Sequence, residues 1–219
     1  MTSTHSTVPI HSGAATQLTL ARCGNTVVVD QLTSQHHHEA FQLVCDAAER
    51  ADNVGVDEYP TTRHFKELVN RSKAALGLFN VNSGHRLAGV IIVTPCIYGR
   101  SPNPTLCSVT VITSRHITDE GWRDVIDIAT DAARRLPEMY SACVMDVFVV
   151  CIARMLALRD AGFMITACIP FAGKVAGIPG YVANYLMYKD LGNVPRPPVT
   201  NYSRFDSRIY FSITFHFIQ

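Results

Sequence analysis

Residues 145–191 read MDVFVVCIARMLALRDAGFMITACIPFAGKVAGIPGYVANYLMYKDL, and the fold is decided by what this stretch can form. Met145 to Val150 is rich in β-branched and apolar residues, the composition of a buried strand. Ile152, Met155 and Leu156 follow at helical spacing, and Gly162 is placed to end the helix in the left-handed conformation that glycine adopts without steric cost. Phe163 to Ile169 returns as a strand. A glycine-rich loop, Phe171 to Tyr181, leads into a further strand, Asn184 to Lys189.

Upstream, the strongest helical stripe is Trp122, Val125, Ile126, Ala129, Ala133 and Leu136, with Thr118 as its N-cap and Pro137 after it. Three strands precede it: 75–81, 87–94 and 106–113. Asn82-Ser83-Gly84 makes the first connection a tight hairpin, and the second is a proline-punctuated loop at 99–104. Earlier still, Phe41, Val44, Cys45 and Ala48 mark an amphipathic helix, 51–60 a polar loop, and Thr61 the cap of a helix burying Phe65, Leu68 and Val69. Thr26 to Asp30 reads as a strand, and residues 1–17 as a flexible polar tail. Downstream, 193–198 is a stiff proline-rich linker. Beyond it Phe211, Ile213, Phe215 and Phe217 alternate with polar residues, as an edge strand would; that strand offers an edge for a homodimer or for pairing within the chain. The predicted order is β, α, α, β, β, β, α, β, α, β, β plus that strand. It describes one α/β domain over 18–192, with a mixed, mostly antiparallel central sheet and helices on both faces.

A chain of 219 residues buries roughly 70% of its unfolded surface on this scale, enough for a core without staples. The net charge of +1, with scattered Lys and Arg, leaves no footprint for nucleic acid or an acidic membrane. Seven dispersed cysteines, never spaced C-x-x-C, argue for reduced thiols and against a disulfide framework or structural zinc. The longest apolar run, Ala142 to Leu158, is interrupted by Asp146 and Arg154, so no membrane span is expected; nor is a secretory signal, and a cytoplasmic location is the expectation. His36, His37 and His38 stand side by side, but neighbours on a helix point about 100° apart and cannot share one ion, so no metal is expected.

The strand, short helix closed by Gly162-Phe163, strand, loop and strand ending Tyr188-Lys189-Asp190-Leu191 resemble the ending of the GNAT acyltransferases, and the element order is similar to theirs. Val147-Phe148-Val149 and Ile169-Pro170-x-Ala172-Gly173 are most similar to the azetidine-2-carboxylate, or imino-acid, N-acetyltransferases within that superfamily. The resemblance implies acetyl-CoA as cofactor, bound where strand 106–113 meets the long helix, by Val111, Ile112, Arg115, Thr118, Gly121, Trp122 and Arg123. It implies a small amine or imino acid as the acceptor, with Asp57, Glu58, Tyr59, Asp146, Lys174 and Tyr181 around it. Cys151, Thr113 and His116 are the implied catalytic candidates.

The match is not complete. The family loop Q/R-x-x-G-x-G/A is here Thr113 to Trp122, with Glu120 and Trp122 at its two glycine positions, Gly121 between them, and His116 at the loop arginine of the imino-acid enzymes. Asp119 and Glu120 favour the helix start but repel a pyrophosphate, a repulsion that Arg115 and Arg123 can offset. Cys151 and Leu158 stand where many members carry an Asn and a Tyr general acid, and Thr113 or Ile112 where the imino-acid enzymes carry another Asn. Cys151 can serve as proton donor or nucleophile, or simply as a small buried hydrophobe. Asp57 to Tyr59 can border the acceptor or form an ordinary polar loop. Phe171 to Tyr181 lacks the spacing of a phosphate-binding loop. Two other functions stay open: a cyclisation or isomerisation using His116, Cys151 and Asp146 without acetyl-CoA, and a non-catalytic binding module.

Overall fold

The computed structural model describes residues 15–96 and 105–192. The elements are β1 (Thr16–Thr19), β2 (Thr26–Gln31), α1 (His37–Glu49), α2 (Thr62–Arg71), β3 (Ala74–Asn80), β4 (Arg86–Pro95), β5 (Leu106–Thr113), α3 (Asp119–Arg134), β6 (Ala142–Phe148), α4 (Ile152–Asp160), β7 (Met164–Gly173) and β8 (Val182–Asp190). They form one eight-stranded sheet in the order β1-β2-β3-β4-β5-β6-β8-β7. Every neighbouring pair is antiparallel except β5 with β6. The mixed, mostly antiparallel sheet expected from the sequence is the sheet observed.

Strand β4 shows why helices must cover both faces. Leu87, Ala88 and Val90 to Val93 are all buried, although successive side chains of a strand point to opposite faces. Ile91 and Val93 pack with Val109, Val111 and the α3 stripe Trp122, Val125, Ile126 and Ala129. Val90 and Ile92 pack with Leu43, Val44, Phe65 and Val69 of α1 and α2. The periodicities read along these helices are thus the periodicities of their buried faces.

The boundaries differ in three places. Thr16 and Gln17, assigned from sequence to the tail, pair with Val29 and Val28, so the first element is a hairpin rather than a lone strand. Strand β6 begins at Ala142 and stops at Phe148, whose carbonyl accepts from Cys151 N–H in a turn (2.8 Å) that aims the chain into α4. Strand β7 runs on to Gly173 through a register shift after Ile169, with Phe171 at φ 55°, so the loop proper starts at Lys174. Gly162 takes φ 87° just past α4, as its place in the sequence required. The loop at 99–104, the linker at 193–198 and the alternating strand at 211–217 lie outside the described residues.

Candidate active site

The site originates in a mismatch of strand directions. Parallel β5 and β6 are paired only from Leu106↔Ala142 to Ser108↔Val144, yet β5 continues to Thr113 and β6 to Phe148. The two C-terminal halves therefore splay into a wedge, with the N-termini of α3 and α4 at its mouth. Ser114 N–H donates to Ala88 O of β4 (2.7 Å). By the two-residue alternation of a strand, the polar groups of Ile112 also face β4, while those of Val111 and Thr113 face the wedge. Of the strand residues predicted to meet a cofactor, Ile112 is thus a packing residue, 2% exposed among the α1 and α2 side chains.

The segment after α1 fills the wedge. Arg50 Nη2 donates to Thr113 O (2.9 Å), Asn53 Nδ2 to Asp146 O (3.0 Å), and Phe148 N–H to Asn53 Oδ1 (2.9 Å). The Cys151 thiol donates to Ala51 O (3.4 Å). Ala51 and Asn53 both sit at φ 57°. A left-handed non-glycine residue costs about 1–3 kcal/mol, less for Asn than for Ala, so this turn is held by its bonds to β5, β6 and the α4 start.

Beside the wedge lies a cleft of 680 Å³, lined by Arg50 to Asp52, by Arg115 and Ile117 to Glu120, and by Val150 to Arg154. Its charges cancel: Arg50, Arg115 and Arg154 stand against Asp52, Asp119 and Glu120. Arg154 is the central group. It is 7% exposed, donates from Nε and Nη2 to the two oxygens of Asp52 (2.8 and 3.0 Å), and lies 4.7 Å over the Trp122 ring. Its Nη1 is 3.2 Å from Asp119 Oδ1, an ion-pair distance without hydrogen-bond alignment, and is otherwise buried without a partner.

Other predicted cofactor residues take different roles. Thr118 Oγ1 caps α3 by accepting from Gly121 N–H (3.3 Å), which occupies the donor expected to face a phosphate. Gly121 is there for packing: a Cβ on it would stand 2.5 Å from Cys23 Sγ. Trp122, expected at the helix mouth, is 2% exposed and belongs to the core beneath Arg154. Arg123 pairs with Asp127 (3.8 Å) and lies outside the cleft lining. Among the catalytic candidates, His116 is exposed outside the cleft, its carbonyl accepting from Asn25 Nδ2 (2.9 Å). Thr113 has a buried hydroxyl without a hydrogen-bond partner. Cys151 does line the cleft. Burial pushes its thiol up and the nearby Asp52 adds to this, which keeps it protonated and disfavours a thiolate nucleophile.

The opposite mouth of the wedge gathers the predicted acceptor residues. Asp146 projects from β6, and Asn184, its diagonal neighbour on β8, donates from Nδ2 to Asp146 Oδ2 (2.7 Å). The Glu58 carboxylate accepts Gly55 N–H (2.9 Å) and hydrogen-bonds Tyr59. Glu58 is exposed by surface area yet closely surrounded by protein atoms; that desolvation raises its carboxyl above the usual range, and the charges of Asp146 and Asp57 add to the rise. Tyr59 is pushed up as well, first by burial and then by Glu58, and its ring meets Phe65 edge-on at 6.1 Å. Val56 N–H donates to Lys174 O (2.9 Å), which ties this loop to the β7–β8 loop, where Lys174 Nζ lies 5.2 Å over the Tyr181 ring.

Arg50, Asp52, Asn53, Arg154 and Asn184 were absent from the sequence-derived site. The one signal was Arg154 itself, a charge inside an apolar run; the others stand in stretches that read as ordinary loop or strand. Of the histidine triplet, His36 meets Phe79 at a tilt of 60°, ring centroids 4.9 Å apart, and among the described residues no group of three or more His, Cys, Asp or Glu could hold a metal ion. No described helix is long and apolar enough to cross a membrane.

No family model and no curated protein matches the sequence. Solved structures do match. YncA of Salmonella typhimurium, solved with its cofactor acetyl-CoA, is 14% identical over 79% of this chain and 98% of its own, with a TM-score of 0.60. A spermidine N-acetyltransferase from Vibrio cholerae in complex with CoA and spermine is 13% identical over 76% and 96%, with a TM-score of 0.58. A GCN5-related N-acetyltransferase from Kribbella flavida is 13% identical over 75% and 97%, with a TM-score of 0.59. Splayed parallel strands at the centre of an otherwise antiparallel sheet, with helices on both faces, give this chain the fold of the GCN5-related N-acetyltransferases.

Proposed function

We propose that the protein is an acyl-CoA-dependent N-acetyltransferase acting on a small amine or imino acid. The observation that carries the reading is the wedge itself, with the cleft at one mouth and Asp146, Glu58 and Tyr59 at the other, so that donor and acceptor can meet through it once the Arg50–Asn53 segment is displaced. The cleft suits acetyl-CoA in its three arginines, above all the exposed Arg115, and opposes it in Asp119 and Glu120. Arg115, Arg154 and Arg50 would hold the phosphates and pantetheine. Acetyl-CoA supplies an acetyl group activated as a thioester.

The chain's own groups divide the remaining work. Val111 and Thr113 present main-chain N–H groups to the wedge, where a carbonyl oxygen would be polarised. Glu58, with its raised carboxyl, accepts the proton an amine must shed before it can attack. Cys151, held as a thiol at the cleft wall, is the proton donor for a leaving sulfur. Acetyl-CoA with a panel of amines, followed by thiol release, tests the reading: turnover that is lost in Glu58→Gln supports it, and no turnover with any amine or imino acid rejects it.

A second reading keeps the fold and omits acetyl transfer, and the Arg50–Asn53 plug favours it. A carbonyl reaching the Val111 and Thr113 N–H groups must displace Arg50 and Asn53 from the strands they now bind. If the plug is permanent, the cleft serves a different small molecule. Loosening it with Asn53→Ala separates the two: acetyl-CoA affinity that rises fits a displaceable plug, and unchanged absence of binding fits the second reading.

A further inference from the structure

The two edges of the sheet are defended unequally. Strand β1 is four residues long and mostly polar, TQLT, and offers little to another strand. The opposite edge, β7, runs for ten residues as MITACIPFAG without one charged side chain. Met164 is 63% exposed and Ile165 52%, and since neighbours on a strand point to opposite faces, this end of β7 is bare on both. Pro170, which has no N–H to offer, closes the far end of the edge. A bulge at Thr166 twists the near end but puts neither charge nor proline on Met164 to Ile169. Folded proteins cover an apolar, uncharged edge of this kind.

The chain itself carries a segment of matching character. Ile209, Phe211, Ile213, Phe215 and Phe217 alternate with Tyr210, Ser212, Thr214 and His216, the two-residue period of a strand with one apolar face. The chain also leaves the sheet at the right end: β8 closes at Asp190, and Tyr188, two residues earlier, is paired with Met164 at the start of β7. Residues 193–208 reach on the order of 50 Å when extended, against about 33 Å for the whole of β7, so 209–217 can lie along this edge in either direction. Such a tether holds the segment at an effective concentration in the millimolar range, well above that of a second copy in ordinary solution. We infer that residues 209–217 pair, within the same chain, with the Met164–Ile169 edge of β7 as a ninth strand of the sheet. The outward N–H and C=O groups of β7 gain partners, and the row of phenylalanines gains a sheet face to lie on. The inference is independent of the acetyltransferase reading.

The test is amide hydrogen exchange on the full chain, read at the β7 amides that face away from β8. They should exchange at least ~10-fold more slowly than in the double variant Ile213→Pro with Phe215→Pro, which removes two N–H donors from the segment and breaks its pairing. Amides of β4, at the centre of the sheet, should exchange equally in both proteins, which shows that the variant is folded. Equal exchange at the β7 edge in parent and folded variant would overturn the inference. Sedimentation of the parent decides whose segment it is. Protection in a monomer keeps the pairing within the chain. Protection found only in a dimer puts a second copy on the edge and overturns the inference as well.

Discussion

The two mouths of the wedge differ in how their charges are settled. In the cleft, three arginines face three acids, and the most buried of them, Arg154, is clasped by Asp52 and lies near Asp119. At the opposite mouth, burial and the charges of Asp146 and Asp57 raise the Glu58 carboxyl, and Asn184 Oδ1 is buried without a hydrogen-bond partner. One side balances its charges from within the chain, and the other gathers acids without a matching cation among the described residues. The lesson is that a shared fold does not fix how charge is settled at the two mouths of its central wedge.

The largest expected effect comes from breaking the settled side. Arg154→Ala takes from Asp52 its bidentate partner, leaving only Arg50 at 3.4 Å, and uncovers Trp122; it should cost about 2–3 kcal/mol, a fall in Tm of roughly 5–10 °C. A thermal melt that moves by less than a couple of degrees would show the cleft's ion pairs to be ornaments. Gly121→Ala is next. Its methyl would press on Cys23 Sγ, so we expect a loss of about 1–3 kcal/mol that Cys23→Ala largely restores. No restoration in the double variant would return Gly121 to the role of a ligand-binding glycine.

Removing the opposing charge sharpens the comparison further. Asp119→Asn should strengthen CoA binding by about 0.3–1 kcal/mol in calorimetry, and Glu120→Gln should shift it in the same direction, each at some loss of helix stability. Weaker binding in both would mean that these carboxylates serve the ligand. The smallest effect is a pH signature at Glu58. A carboxyl raised in the folded state adds stability below its unfolded value, and that stability is lost as pH rises through the folded value. Glu58→Gln should therefore melt higher than the parent protein at neutral pH and show no such gain near pH ~4, where the parent carboxyl is protonated. An equal change at both would contradict the burial that raises this group.

Much of the fold could be read from periodicity, because the sheet is covered on both faces and each helix has one apolar stripe. The α3 stripe, the Thr118 cap and Gly162 behave as their spacing requires. The hairpin strand β1 could not be read, since Thr16 to Thr19 is short, half-exposed and polar and is ordered by pairing with β2. The site was less legible. Glu58 and Tyr59 meet at one mouth of the wedge with Asp146 nearby, but the plug at 50–53 depends on two left-handed residues with no glycine between them to announce it. Asn184 depends on a diagonal cross-strand contact to a strand far away in sequence. Gly121 and Trp122 misled because a family position was read as a ligand contact where the local reason is packing.

The most direct test of the account is a calorimetric titration of the full chain with acetyl-CoA, with the Asn53→Ala variant alongside. The account predicts saturable binding by the parent chain, tighter in the variant whose plug is loosened. Heat no greater than dilution for both proteins would contradict it and leave a GNAT scaffold whose cleft serves another ligand.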